Sequence, residues 1–359
     1  MLEHKQDFAL TRENWRRFWA GELERPIVIA VVPKRGVEPV AHPRWGAAYT
    51  QPHEAVVDQA LRWAETHEFL ADAVPWHTPS ICIGLFGGML GGEILETRED
   101  WGVDTRATPF LKELDPAALS LRRDSKWFLK YVDLLETYRH KATGALVFGE
   151  MCWVCALDLL AEIRGTAETM MDFYDDPAGV HRVLARLLEL ELELLAELRL
   201  HCDFDGVGGA VRHGFYCPGV TGVPQCDLGF AIGKEAFDEF ALPSLRQECS
   251  WLDGVLYHLD GEGNLKHLDS LCGIEDIGAF QWVAGAGNAG RKDWSGLYDD
   301  IAARQKGIWF NCPPEAVIPL WRRHRNAGRL CMTVHSTDPD AVKRLMDNLE
   351  RLVVDGDPP

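Results

Sequence analysis

The sequence predicts an α/β chain folded as a (β/α)8 TIM barrel with an N-terminal helical extension. Short apolar runs alternate with amphipathic helical stretches through most of the chain, the rhythm that parallel strands joined by helical crossovers impose. Some eight such units, counted roughly, fill the 359 residues, which favours a closed barrel over a doubly wound sheet. Neither a GxGxxG loop nor a linker interrupts the pattern, so residues 1–359 read as a single barrel domain.

Each element rests on its own signal. A helix around Arg12 to Ala20 precedes Arg25-Pro26 and the apolar run Ile27 to Val32, the first strand. A helix is expected from Glu54 to Phe69. The stretch Ser80 to Gly92 is rich in glycine but lacks the order of a dinucleotide or phosphate loop, and reads as close packing or a pocket wall. Beyond it come a helix from Ser125 to His140, the strand Ala145 to Phe148, and helices over Ala156 to Arg164 and Ala167 to Tyr174.

Asp176-Pro177 supplies an N-cap and a proline at the first helical position, so a long helix starts there. Leu188 to Leu194 alternates like a strand, yet Val180, Val183, Leu184, Leu187, Leu188, Leu195 and Leu198 share one helical face, and helix is the better reading. A strand near Gly206 to Gly209 and a helix from Lys234 to Trp251 follow. Strands Val255 to Leu259, Ala279 to Val283, Ile308 to Phe310 and Leu330 to Val334 then alternate with helices at Asn264 to Leu271, Ser295 to Arg304, Ala316 to Asn326 and Pro339 to Leu352.

Composition narrows the function. A hydrophobic content of 47% supports a large core, and a net charge of −18 spread along the chain disfavours nucleic acid and anionic membranes as partners. The opening residues carry no apolar signal segment and no run of about 18 apolar residues occurs, so a soluble cytoplasmic protein is expected. The ten cysteines are expected to be reduced. Cys152-Trp-Val-Cys155 lacks the second CxxC of a structural zinc site and reads as ordinary buried thiols.

In a barrel, residues just after each strand share one rim. The sharpest stretch is Val255 to Asn264, where an apolar run ends in His258, Asp260 and Glu262. His258 and Asp260 alternate on a strand and so point to one side, able to share a cation or a proton. A metal there needs a third ligand, for which Asp227, Cys331 and His335 are candidates. The same rule adds Glu150, Cys152 and Trp153, then Gln281, Trp282 and Asn288, and Asn311 with Cys312. His213 and Tyr216 lie in a long loop of the kind that covers substrate, while Trp153, Trp282 and Trp76 are candidate aromatic walls for a planar ligand.

Gly149 to Gly165 with Met170 to Pro177, and Asp227-Leu-Gly upstream of Glu235 to Pro243, resemble corresponding segments of the uroporphyrinogen decarboxylase superfamily. The likeness spans roughly residues 145 to 290. It implies a (β/α)8 barrel and one of two activities: cofactor-free decarboxylation of a cyclic tetrapyrrole, or zinc-dependent methyl transfer between a corrinoid protein and a thiol. The decarboxylases' N-terminal Arg-Gln-Ala-Gly-Arg signature has no counterpart here, which points towards methyl transfer on a small methylated compound or thiol, with a carboxy-lyase or a non-catalytic ligand-binding barrel as alternatives.

In the methyltransferases a His-x-Cys at this strand end and a later Cys bind zinc. This chain keeps His258, has Asp260 in place of the first Cys, and offers Cys331 for the second. Carboxylate for thiolate hardens the site and weakens activation of a zinc-bound thiol. The resemblance therefore implies His258, Asp260 and Asp227 as catalytic residues, with zinc on His258, Asp260 and Cys331 and a corrinoid protein as partner. Trp153, His213, Tyr216, Glu262, Gln281 and Trp282 are the expected substrate contacts.

Overall fold

The structure, a computed structural model, describes residues 2–99, 102–149, 155–285 and 293–355. The strands in chain order are β1 (Ile27–Pro33), β2 (His67–Ala71), β3 (Ile94–Glu99), β4 (Gly102–Ala107), β5 (Gly209–Val211), β6 (Phe215–Cys217), β7 (Thr221–Gly222), β8 (Gly254–Asp260), β9 (Ile277–Val283), β10 (Gly307–Cys312) and β11 (Leu330–Val334). Seven of them form the central sheet, ordered β2-β1-β11-β10-β9-β8-β7. Every pairing in it is parallel except β1 with β2.

The expected eight-stranded ring is corrected to an open, mostly parallel sheet within a mixed α/β fold, consistent with a barrel-like architecture. Its ladder ends at β2 on one side and β7 on the other. The reason is local. The helix expected to run to Phe69 stops at Thr66, and β2 folds back antiparallel along β1, pairing Ile29 with Ala71. The expected strand at 145–148 survives as one parallel bridge, Val147 to Trp76, and β5 turns into a hairpin with β6.

Helices form where capping and periodicity agree. Asp176 accepts the Gly179 N–H and Pro177 opens a helix that runs to His201, with Val180, Val183, Leu184 and Leu187 buried; helix therefore wins over the alternating Leu-Glu pattern. The closing helix Pro339–Val354 is capped in the same way by Asp338. The glycine-rich stretch folds as a short buried helix, Leu85–Leu90, and a Cβ on Gly87 would stand 2.5 Å from Ala107 Cβ, so close packing explains it. No helix among the described residues is long and apolar enough to cross a membrane.

Candidate active site

Strand β8 is buried from Gly254 to Tyr257 and opens at His258. Alternation gives its two sides different surroundings. His258 and Asp260 share one side, while Tyr257 on the other is influenced by Cys155, Asp158 and Cys226. The strand pairs with β9 in a register that sets His258 beside Gln281.

His258 Nδ1 lies 2.8 Å from Gln281 Oε1. With that oxygen as acceptor, Nδ1 carries the proton and Nε2 keeps its lone pair. Burial and then the nearby Arg212 push the His258 pKa down, against the hydrogen bond it donates to Gln281 and the charges of Asp260 and Asp227. Asp260 is half-buried; its Oδ1 is buried without a hydrogen-bond partner, and its backbone carbonyl accepts from Asn264 Nδ2 at 2.6 Å.

Asp227 enters from a separate loop. Its N–H and that of Leu228 donate to the two oxygens of Asp158 at 2.7 and 2.8 Å, so one carboxylate from the helix Ala156–Arg164 holds the turn. The Asp227 side chain is solvent-exposed yet crowded by the cleft. Desolvation raises its pKa, His258 opposes the rise, and Asp260 adds to it. Arg106 and Arg212 lower it further.

Aromatic rings extend the cleft. His213 stacks on Trp309, ring centroids 5.0 Å apart at 26°, and the Trp309 Nε1–H donates to Thr333 Oγ1 at 2.9 Å. His213 has φ of 70°, a left-handed conformation uncommon for a side-chain-bearing residue though more accessible to His than to most. The next residue, Gly214, also has positive φ, and a Cβ there would meet Trp76 Nε1 at 2.6 Å. Desolvation, then Arg212, His258 and His42, lower the His213 pKa. Arg212 stands over Trp45, 5.6 Å from its ring centroid. A cavity of about 170 Å³ between His42, Trp45, Trp76, Arg212 and His213 adjoins this arrangement. A larger one, about 390 Å³, is lined by Glu22, Arg25, Pro26 and Leu330 at the strand starts, the end of such folds that serves stability.

Of the residues expected from sequence, His258, Asp260, Asp227, Gln281 and His213 gather in this cleft. Gln281 is buried and its role is to hold His258. Glu262 is half-buried at the head of the turn Glu262–His267 that follows β8.

Three expectations are corrected. Tyr216 is fully buried; its hydroxyl donates to the Val207 carbonyl and its ring packs edge-on against Phe8 and Trp15, so it belongs to the core. Trp282 follows Gln281 on the strand and therefore points to the opposite face, where it meets Trp294 at 4.9 Å. Cys331 stands three strands from His258, about 14 Å at ordinary strand spacing, and its thiol is buried near Asp72 and Cys312.

Trp153, with Glu150, Cys152 and Asn288, lies outside the described residues. Reading strand ends missed Arg212, His42, Trp45 and Trp309. Trp309 sits inside β10 rather than after it, and the others reach the cleft from loops whose path no periodicity reveals.

The described residues do not complete a zinc set on His258 and Asp260. Among them, the group of three or more potential ligands with donor atoms all within 4.8 Å of one another is Cys155, Asp158 and Cys226.

No family model matches the chain, and no curated protein matches it by sequence. A solved structure does: a methyltransferase from Methanosarcina mazei superposes with a TM-score of 0.59 at 11% identity, covering 95% of this chain and 98% of the other. At that identity the likeness is one of fold.

Proposed function

We propose that this chain is a methyltransferase-like enzyme of the uroporphyrinogen decarboxylase superfamily, acting on a small methylated compound or thiol, with a corrinoid protein as methyl-exchange partner. One observation carries the reading: an imidazole at a parallel strand end, oriented by a hydrogen bond to Gln281 and influenced by two carboxylates from different elements, Asp260 and Asp227. The fold shared with a methyltransferase and the motif resemblance support it.

In the proposed reaction, taken from methyl-corrinoid to thiol, His258 Nε2 takes the thiol proton. The acceptor's freed lone pair forms the new bond to the methyl carbon while the donor keeps the electrons of the bond that breaks. In reverse, with cob(I)alamin as acceptor, the imidazolium returns that proton to the departing sulfur or nitrogen. Asp227 and Asp260 stabilise the imidazolium that results, and general-base assistance of this kind contributes about 10²–10⁴-fold. His213, Trp309, Trp45 and Trp76 supply apolar walls for a methyl-bearing substrate, and Arg212 suits an acidic group on it. Because the rim lacks a described third ligand, no step is assigned to zinc there.

The test is incubation with methylated thiols and amines and cob(I)alamin. Methylcobalamin formation, lost in His258→Ala, is expected. Carbon dioxide release from a carboxylated substrate would assign a carboxy-lyase instead, and ligand binding without turnover, unchanged in His258→Ala, would overturn both in favour of a binding barrel.

A further inference from the structure

A second cluster lies behind β8, on the side of Tyr257. Cys155 precedes the helix Ala156–Arg164, Asp158 lies in its first turn, and Cys226 adjoins Asp227. Their two sulfurs and a carboxylate oxygen all fall within 4.8 Å of one another. Two ligands of tetrahedral zinc with Zn–S bonds of about 2.3 Å stand about 3.8 Å apart, so the grouping is compact enough to close on one ion.

Among the described residues the surroundings are acidic. Glu248 is buried and accepts the Ala156 N–H at 2.9 Å, and next in line Glu191 is fully buried with neither carboxylate oxygen hydrogen-bonded. After desolvation, the side chains acting most strongly on Asp158, Glu191 and Glu248 are acids and a thiol, and none is a cation. Burying so much acid is costly unless protons or a cation neutralise it. A cavity of about 30 Å³ beside the cluster is lined by Cys155 and Glu248 together with Pro224 and Trp251.

We propose that Cys155, Asp158 and Cys226 bind a thiophilic divalent cation such as zinc, separate from the His258 cleft. Two thiolates and a carboxylate are ligands zinc accepts, and they select against magnesium or calcium. Binding releases the two thiol protons, so affinity falls as pH falls. The ion's role is positioning. Asp158 already holds the backbone of Asp227 and Leu228, and Cys226 is covalently next to Asp227, so closing the cluster immobilises the loop that brings Asp227 to the cleft.

The test uses the full chain, freed of metal by a chelator under reducing conditions and titrated with cobalt(II) and zinc. One equivalent of cobalt should bind with thiolate-to-cobalt charge-transfer absorption, and zinc should displace it. Cys155→Ser and Cys226→Ser should each remove that absorption and weaken zinc by more than the about 100-fold typical of losing an outer-shell partner, while His258→Ala leaves both unchanged. Should the serine variants fail to fold, alkylation of the unaltered chain decides: zinc should protect Cys155 and Cys226, mapped by mass spectrometry. Cobalt lost in His258→Ala but kept in Cys226→Ser, or alkylation of both thiols at equal rates with and without zinc, would overturn the proposal.

Discussion

Which nitrogen of His258 holds the proton is decided by Gln281, a residue that touches nothing else in the proposed chemistry. Replacing Gln281 by Leu removes the acceptor for Nδ1–H, and turnover should fall roughly tenfold, part of what a general base contributes. The pH profile separates this effect from simple misfolding. Desolvation holds the His258 pKa below its usual value of about 6.5, so the basic form persists at neutral pH and the acid limb of kcat/KM should lie below that value. The Gln281 hydrogen bond raises the pKa, hence Gln281→Leu should move the limb further towards acid even as the rate drops. An unmoved limb would mean that the contact does not tune the base. At this scale the sequence was partly legible: polar residues after an apolar run mark His258 and Asp260 because burial ends where the strand ends. It was illegible where facing matters, since Gln281 and Trp282 are neighbours in the chain but lie on opposite faces, and Tyr216 is polar in name yet spends its hydroxyl on a backbone carbonyl within the core.

Elements with strong local signals formed as their residues dictate, the helix Pro177–His201 above all, because its N-cap, proline and apolar face agree. Strand β2 and the hairpin of β3 and β4 escaped notice, since their pairing depends on partners distant in the sequence rather than on a run of their own. That hairpin leans on the glycine-rich helix, and Gly84 is the contact that permits it. A Cβ at Gly84 would stand 2.7 Å from the Ala107 backbone nitrogen and 2.8 Å from the Arg106 carbonyl carbon, atoms that cannot swing away as a side chain can. Gly84→Ala should therefore cost about 1–3 kcal/mol, the range for overpacking. It should also displace Arg106, one of the charges acting on Asp227. Urea denaturation measures the loss, with Gly296→Ala as the control, since nothing stands within 4 Å of a Cβ there. Equal stability of the two variants would sink the packing account of this stretch.

Across the whole molecule, the alternation of strand and helix made the parallel α/β architecture legible, whereas closure of the ring was not, because closure depends on how the irregular segments around 74–78 and 145–148 pair and neither carries a long apolar run. The acid-thiol cluster was equally hidden: Cys155 with Asp158, then Glu191, Cys226 and Glu248 come from four separate stretches, and each alone reads as a core thiol or a surface acid. Its charge has a consequence for the stability of the entire chain. Desolvation pushes Asp158 up to about 7 and Glu248 up to about 8, and raises Glu191 well above the carboxylate range. Unfolded, the same groups ionise near pH 4. Between those limits the folded chain binds more protons than the unfolded one, so their contribution to stability is complete below about pH 4 and is lost as pH rises through the folded values. Buried histidines such as His77 and His42, whose pKa values are lowered, act in the opposite sense but only below about pH 6.5, which leaves the interval from pH 7 to 8 to the acids. Chelator-treated protein should lose stability across that interval, with each proton contributing up to about 1.4 kcal/mol per pH unit. Glu248→Gln keeps the shape and removes the ionisation of the group held up at about 8, so its stability curve should be flatter from pH 7 to 8 and should cross above that of the unaltered chain at the alkaline end. Thermal unfolding at closely spaced pH values reads both slopes, and parallel curves would show that the Glu191–Glu248 pair holds no proton in the folded state.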